Sequence, residues 1–155
     1  MVIKITRKRA VKLPQINKKG DWIDLYMPKY EECTYTRGDC GLIDLGIAIK
    51  LPKGYEAIIV PRSSTFKNFG IMQVNSVGII DNTYCGDNDT WKFGYYALKN
   101  SSIPPDARIC QFRIQLSQKA TAWQKIKTLF DSKIVFEEVE FLDGKDRGGI
   151  GSTGI

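Results

Sequence analysis

Apolar and polar residues alternate in short runs along most of this chain, with Gly, Pro, Asn and Asp falling between the runs. Segments 3–13, 22–26, 42–51, 56–60, 71–74, 77–80, 91–98, 108–116 and 134–142 read as strands, bounded by turns such as Pro52-Lys53-Gly54 and Asp81-Asn82. Two stretches change period. Segment 63–69 reads as a short helix opening on Ser63 and Ser64. Segment 120–130 places Trp123, Ile126, Leu129 and Phe130 on one face and Lys125 and Lys127 outside, the period of an amphipathic helix. Many short strands at regular spacing predict an all-β sandwich or barrel, with the second helix inserted late and used for packing.

Composition narrows the picture. At 155 residues the chain makes one domain with a real core. No apolar run reaches the roughly 20 residues that span a bilayer, and the first residues lack a stretch of signal-peptide length, so no membrane association and a cytoplasmic location are expected. Four cysteines without CxxC spacing read as reduced, mostly buried thiols, and the absence of histidine leaves acid–base chemistry to carboxylates, Tyr, Lys or Cys. It also excludes His/Cys-ligated zinc deaminase chemistry. The net charge of +6 is local: residues 1–19 hold seven basic side chains and no acid, and the remainder is nearly neutral. This basic segment is read as a solvated edge more readily than a nucleic-acid arm.

Residues 143–155 contain five glycines, among them Gly148, Gly149, Gly151 and Gly154, interspersed with Arg147, Ser152 and Thr153. Taken alone, such a segment is either a flexible tail or a receptor for a polyphosphate. Pro61-Arg62-Ser63-Ser64 puts a cation and two hydroxyls at a helix start, which is either an anion site or an ordinary N-cap. The run from Asn75 to Asp87 carries a hairpin arm, 77–80, that delivers Asp81 at its tip with Tyr84 just beyond. A partly desolvated carboxylate there can act as a general base, and the tyrosine ring can wall a sugar pocket. The alternative is a plain Asp-Asn turn. In Arg108-Ile109-Cys110-Gln111-Phe112, Gln111 needs a polar partner.

In order, Asp24 in Trp22-Ile23-Asp24-Leu25, then PRSS, GIIDNTYCGD, RICQF and RGGIGSTG closely resemble the five motifs of the trimeric dUTPase family, over residues 20–154. Segments such as Gly20-Asp21-Trp22-Ile23-Asp24-Leu25 are similar to a Gram-positive or phage branch. The resemblance implies a distorted jelly-roll β-barrel over residues 1–142, a flexible arm over 143–155, and a homotrimer with active sites shared among subunits. It implies hydrolysis of dUTP to dUMP and pyrophosphate with Mg²⁺ on the triphosphate.

Carried onto this chain, the resemblance makes Asp81 the residue that activates the attacking water. Tyr84 stacks under the deoxyribose, and Asn75, with main-chain groups of Gly78 and Ile80, reads the uracil edge. Arg62, Ser63 and Ser64 hold phosphate oxygens, and Gln111 reaches a phosphate or a water on the metal. Arg147, Ser152 and Thr153 clasp the γ-phosphate when the arm closes over a neighbouring subunit. No side chain ligates the metal directly, Asp24 and Gln111 standing behind it.

Ile150 occupies the position of the phenylalanine that usually covers uracil. Phe93, with Trp91 as the alternative, is expected to supply that cover. Among rival readings, a dCTP deaminase needs a dedicated glutamate, and none lies near Asp81 in sequence. A binding or regulatory relic has no need of Asp81, Tyr84 and Gln111, and nucleic-acid binding through residues 1–12 is the remaining rival.

Overall fold

The computed structural model describes residues 1–16, 19–130 and 133–149. The chain-order strands are β1 (Val2–Arg7), β2 (Gln15–Ile16), β3 (Ile23–Tyr26), β4 (Cys33–Tyr35), β5 (Cys40–Asp44), β6 (Ile47–Lys50) and β7 (Tyr55–Pro61). Helix α1 (Thr65–Phe69) follows. Then come β8 (Ile71–Gln73), β9 (Gly78–Asp81), β10 (Lys92–Ala97), β11 (Ser101–Ile103), β12 (Arg108–Leu116), helix α2 (Ala122–Thr128) and β13 (Val135–Glu138). Ile150, Ser152 and Thr153 lie outside the described residues.

The fold is mostly β, as the alternation predicts, but among the described residues it forms four sheets and no closed barrel. The largest has the order β2-β3-β12-β7-β9; the others are β13-β1-β6, β5-β10-β8 and β11-β4. Inward-facing residues of these sheets meet in one core that includes Ile3, Ile5, Leu25, Ile49, Ile59, Trp91, Phe93 and Phe112. The Trp91 and Phe112 rings meet edge to face, 5.0 Å between centroids, a favoured aromatic geometry.

Several boundaries differ from the sequence reading for local reasons. The run 42–51 is two strands, because Gly46 takes φ +67° and its N–H is caught at 2.8 Å by Asp44 Oδ1, turning the chain between β5 and β6. The run 3–13 ends as a strand at Arg7, whose guanidinium donates to Val11 O at 2.9 Å and folds the following bend back. Strands β2, β4 and β11 have two or three residues each, too short to carry a period.

Helix α2 exists and begins with a capping box of Thr121 and Gln124. Its expected packing role fails in the single chain. None of its residues is buried, and Trp123, Leu129 and Phe130 are 73%, 80% and 85% exposed. Instead the polar side anchors it, with Gln124 Nε2 donating to Lys53 O and Tyr55 bonded to Thr128. The cysteines also differ from expectation, since only Cys110 is buried and Cys40 is exposed.

Candidate active site

Strand pairing builds the site. Strand β9 runs antiparallel to β7 with Glu56 opposite Asp81 and Ile59 opposite Gly78. Between β8 and β9 the chain reverses through Asn75 and Ser76, both left-handed at φ 61° and 57°. Non-glycine residues rarely hold that region without compensation, and asparagine tolerates it best. The reversal borders a groove of about 540 Å³ whose lining includes Asn75, Gly78, Ile80, Asp81, Tyr84 and Arg147.

Both oxygens of Asp81 are held. Oδ1 accepts from Thr83 N at 2.8 Å and Thr83 Oγ1 at 2.5 Å, and Oδ2 accepts from Arg147 Nη1 at 2.8 Å. Partial burial works to raise the Asp81 pKa, but the Thr83 hydrogen bonds and the Arg147 charge outweigh it and hold the carboxyl below its ordinary value. Tyr84 donates its hydroxyl to Thr90 O at 2.9 Å, which fixes the ring against the groove. Burial, then the charges of Asp89 and Asp44, push its phenol up, so it stays a neutral donor.

The arm is held where the sequence suggested a flexible tail. Asp89, 2% exposed, accepts from Gly86 N at 2.9 Å, from Arg147 N at 3.0 Å and from Gly148 N at 2.9 Å. Asp146 accepts from Asn88 N and Nδ2 at 2.9 and 2.6 Å. Gly149 reaches the Tyr84 ring so closely that a Cβ would stand 3.2 Å from it. Described residues 143–149 therefore dock on the groove of their own chain and bring Arg147 to their own Asp81. Asp89 and Asn88 do this work, and the reading of the motifs passed over them. The signal was the Gly86-Asp87-Asn88-Asp89 run, a cluster of turn acids beside a strand.

The phosphate-binding candidates form a second cluster. Arg62 Nε donates to Asp24 Oδ1 at 2.9 Å and Arg108 Nη1 to Asp24 Oδ2 at 3.3 Å. Asp24 is 3% exposed, so it is a buried anion clamped between two cations. Both its oxygens are thus committed to guanidinium groups, which makes Asp24 a positioner of Arg62. The Arg62 main chain is fixed as well, through its N–H to Thr65 Oγ1 at 2.9 Å, and Thr65 donates in turn to Ile109 O. Ser64 is the N-cap of α1 but makes no capping hydrogen bond. Ser63 is exposed, and Gln111 is half-buried on β12 between Asp24 and Val60.

The two clusters do not meet within one chain. Arg62, just past the end of β7, lies six residues from Glu56, the partner of Asp81, and at the rise of a strand that is roughly 20 Å. Neither Arg62, Ser63, Ser64 nor Gln111 lines the groove.

Two expectations are corrected here. Phe93 and Trp91 are wholly buried in the core, so neither can cover a base in the groove. The parity of β10 turns Phe93 inward and Lys92 outward, and Trp91, just before the strand, packs edge to face on Phe112. Glu56 is the second correction: a glutamate does stand opposite Asp81, brought there by strand pairing. Its carboxylate takes Gln115 Nε2 at 2.7 Å and it does not line the groove.

A groove with an ordered carboxylate, a tyrosine on its wall and a glycine-rich arm agrees with the comparisons to known proteins. The family model for dUTPase matches residues 10–133. The SPbeta prophage-derived deoxyuridine 5'-triphosphate nucleotidohydrolase of Bacillus subtilis is 46% identical over 142 residues, covering 90% of this chain and 89% of that one. The corresponding protein of Finegoldia magna is 35% identical over 159 residues, covering 99% of each. This chain belongs to the dUTPase family. In fold it is similar to a dUTPase of phage phi11 of S. aureus, whose structure shows a structural Mg(II) ion (TM-score 0.64, 13% identity, 77% of this chain and 93% of that one). It is also similar to the dUTPase of Streptococcus mutans (TM-score 0.63, 16% identity, 77% and 99%).

Proposed function

We propose that this chain hydrolyses dUTP to dUMP and pyrophosphate, limiting uracil in DNA and supplying dUMP for thymidylate synthesis. The observation that carries the reading is the Asp81 carboxylate, aligned by Thr83 in one groove with Asn75, Tyr84 and Arg147. Phosphoanhydride hydrolysis needs positioning, cations around the phosphates and an oriented water, and no covalent nucleophile. Asp81 takes the proton of the water attacking the α-phosphorus. Its depressed pKa keeps it ionised at neutral pH. The Tyr84 ring packs under the deoxyribose and excludes a 2′-hydroxyl, and the Asn75 turn with the Gly78 and Ile80 main chain reads uracil.

Arg147 occupies Asp81 Oδ2 before substrate arrives. A triphosphate draws that guanidinium to itself, which frees the carboxylate for water. Arg62, Ser63, Ser64 and Gln111 hold phosphate oxygens, and because none of them lines the groove and Arg62 lies roughly 20 Å from Glu56, the strand partner of Asp81, they serve the groove of another subunit. A homotrimer with shared sites is the assembly this supports, with Ser152 and Thr153 completing the clasp. Mg²⁺ would be held by the triphosphate and would supply charge neutralisation there, with Gln111 standing behind it as a hard oxygen donor and Asp24, its oxygens taken by Arg62 and Arg108, acting through those guanidinium groups. Among the described residues no helix is long and apolar enough to cross a membrane. The resemblance to a prophage protein supports a phage or prophage origin and action in the cytoplasm.

Pyrophosphate release from dUTP, dCTP, dTTP and UTP, measured side by side, tests the reading. Only dUTP is expected to turn over well; equal turnover of UTP would remove Tyr84 from its role. Mixing Asp81→Asn with Arg62→Ala subunits tests the sharing. Two inactive variants should regain activity together, and a mixture that stays dead refutes it.

A further inference from the structure

Lys92 sits in β10 between the two buried aromatics Trp91 and Phe93. Strand alternation turns it to the opposite face, and that face lines the groove. Gly94, two residues on, lets the β8–β9 turn come close: a Cβ there would lie 2.5 Å from Val74 Cγ2. Val74 N also donates to Gly94 O at 3.1 Å. The turn bearing Asn75 is thus pressed against the strand that carries Lys92.

The lysine is uncommitted. Its cross-strand partner Asp44 is taken by Gly46 N at 2.8 Å and Thr90 Oγ1 at 3.1 Å, with Arg9 3.7 Å away. The Lys92 side chain is exposed, and its ammonium makes no hydrogen bond or ion pair among the described residues. The other cation of the groove, Arg147, is engaged with Asp81. An ammonium without an acceptor, beside the turn that reads the base, is a donor set for a ligand.

We propose that Lys92 contacts the pyrimidine of the bound nucleotide, its stem covering the ring and its ammonium donating to a base carbonyl oxygen. Lysine stems lie along apolar surface while the head stays polar, so one side chain serves both purposes. The inference rests on reading the groove as the nucleotide site, and it gives the base a cover that neither Phe93 nor Trp91 can supply.

The test compares Lys92→Met, Lys92→Ala and Lys92→Arg with the parent chain. Binding of 2′-deoxyuridine, which has base and sugar but no phosphate, is measured by NMR titration, and pyrophosphate inhibition and dUTP turnover are measured beside it. Loss of a charged hydrogen bond weakens deoxyuridine binding and raises KM for dUTP about tenfold in Lys92→Met, and further in Lys92→Ala. Lys92→Arg restores most of both, while kcat and pyrophosphate inhibition stay within about twofold. Unchanged deoxyuridine binding overturns the proposal, as does weakening confined to pyrophosphate, which makes Lys92 a phosphate contact. A parent chain that binds deoxyuridine but does not hydrolyse dUTP refutes the proposed reaction and leaves the Lys92 contact to be judged on deoxyuridine alone. Thermal melting of all variants detects misfolding, and Lys92→Arg, which keeps length and charge, decides the case if Lys92→Ala unfolds.

Discussion

Replacing Asp89 with asparagine should release the arm while sparing the β domain. Three main-chain N–H groups converge on this buried carboxylate. Gly86 N bonds Oδ2 and Gly148 N bonds Oδ1, while Arg147 N reaches both at 3.0 and 3.2 Å. Asparagine offers one acceptor oxygen and one NH₂, so whichever way the amide turns, one N–H faces a donor. A hydrogen bond to a charged acceptor is worth about 1.5–3 kcal/mol. If the amide keeps Gly86, which belongs to the turn, the lost bond falls on Gly148 and Arg147. Taking about 2 kcal/mol, the docked-to-undocked ratio of the arm falls on the order of 30-fold. The Asp146–Asn88 bonds at 2.9 and 2.6 Å are common to parent and variant, so they support the arm in both without altering the change. Amide hydrogen exchange at Gly148 should therefore accelerate by roughly tenfold or more, with KM for dUTP rising by a similar factor. The melting temperature should move little. Unchanged Gly148 exchange together with unchanged KM would refute the reasoning, because Asp89 would then not be what holds the arm.

Other outcomes follow from the same geometry. Asp81→Asn should fold and bind dUTP but lose about 10²–10⁴ in kcat; normal pyrophosphate release in that variant removes Asp81 as the base. Because the Asp81 pKa is held below its ordinary 3.8, the stability this carboxylate contributes is present above that value and is lost as pH falls through the lower folded value. Arg147→Gln removes one of the lowering charges, so the acid limb of the kcat/KM profile, which reports the free enzyme, should move upward, and an unmoved limb contradicts the pairing. Asp24→Ala leaves the guanidinium of Arg62, 18% exposed, without its anion. Breaking such a pair costs about 3–5 kcal/mol, less here because Arg108 is half exposed; a denaturant midpoint within error of the parent would sink that account. Phe93→Ala should open a core cavity and cost about 3–5 kcal/mol, a loss read by denaturant titration. A folded variant with altered uracil selectivity would instead return Phe93 to the groove.

Alternation along the chain was enough to determine a mostly β protein, the two helices, and Asp81 at the end of an apolar strand with Tyr84 beside it. Those are local properties: a period of two, a cap, a turn residue. The same sequence marked Arg62, Asn75, Gln111 and Arg147 as a set by order alone. Tertiary structure decided how they divide. The register of β7 against β9 fixes the separation of Arg62 from Asp81 and sets Glu56, 25 residues earlier in the chain, opposite that carboxylate. The face of β10 could not be read from a run of three large side chains, because alternation gives parity only relative to a known core. Packing settled it, putting Trp91 and Phe93 inside and Lys92 in the groove. The amphipathic period of α2 was legible, but not that its apolar side would lie open in a single chain. Periodicity shows which residues share a face; only long-range pairing and burial show what that face meets.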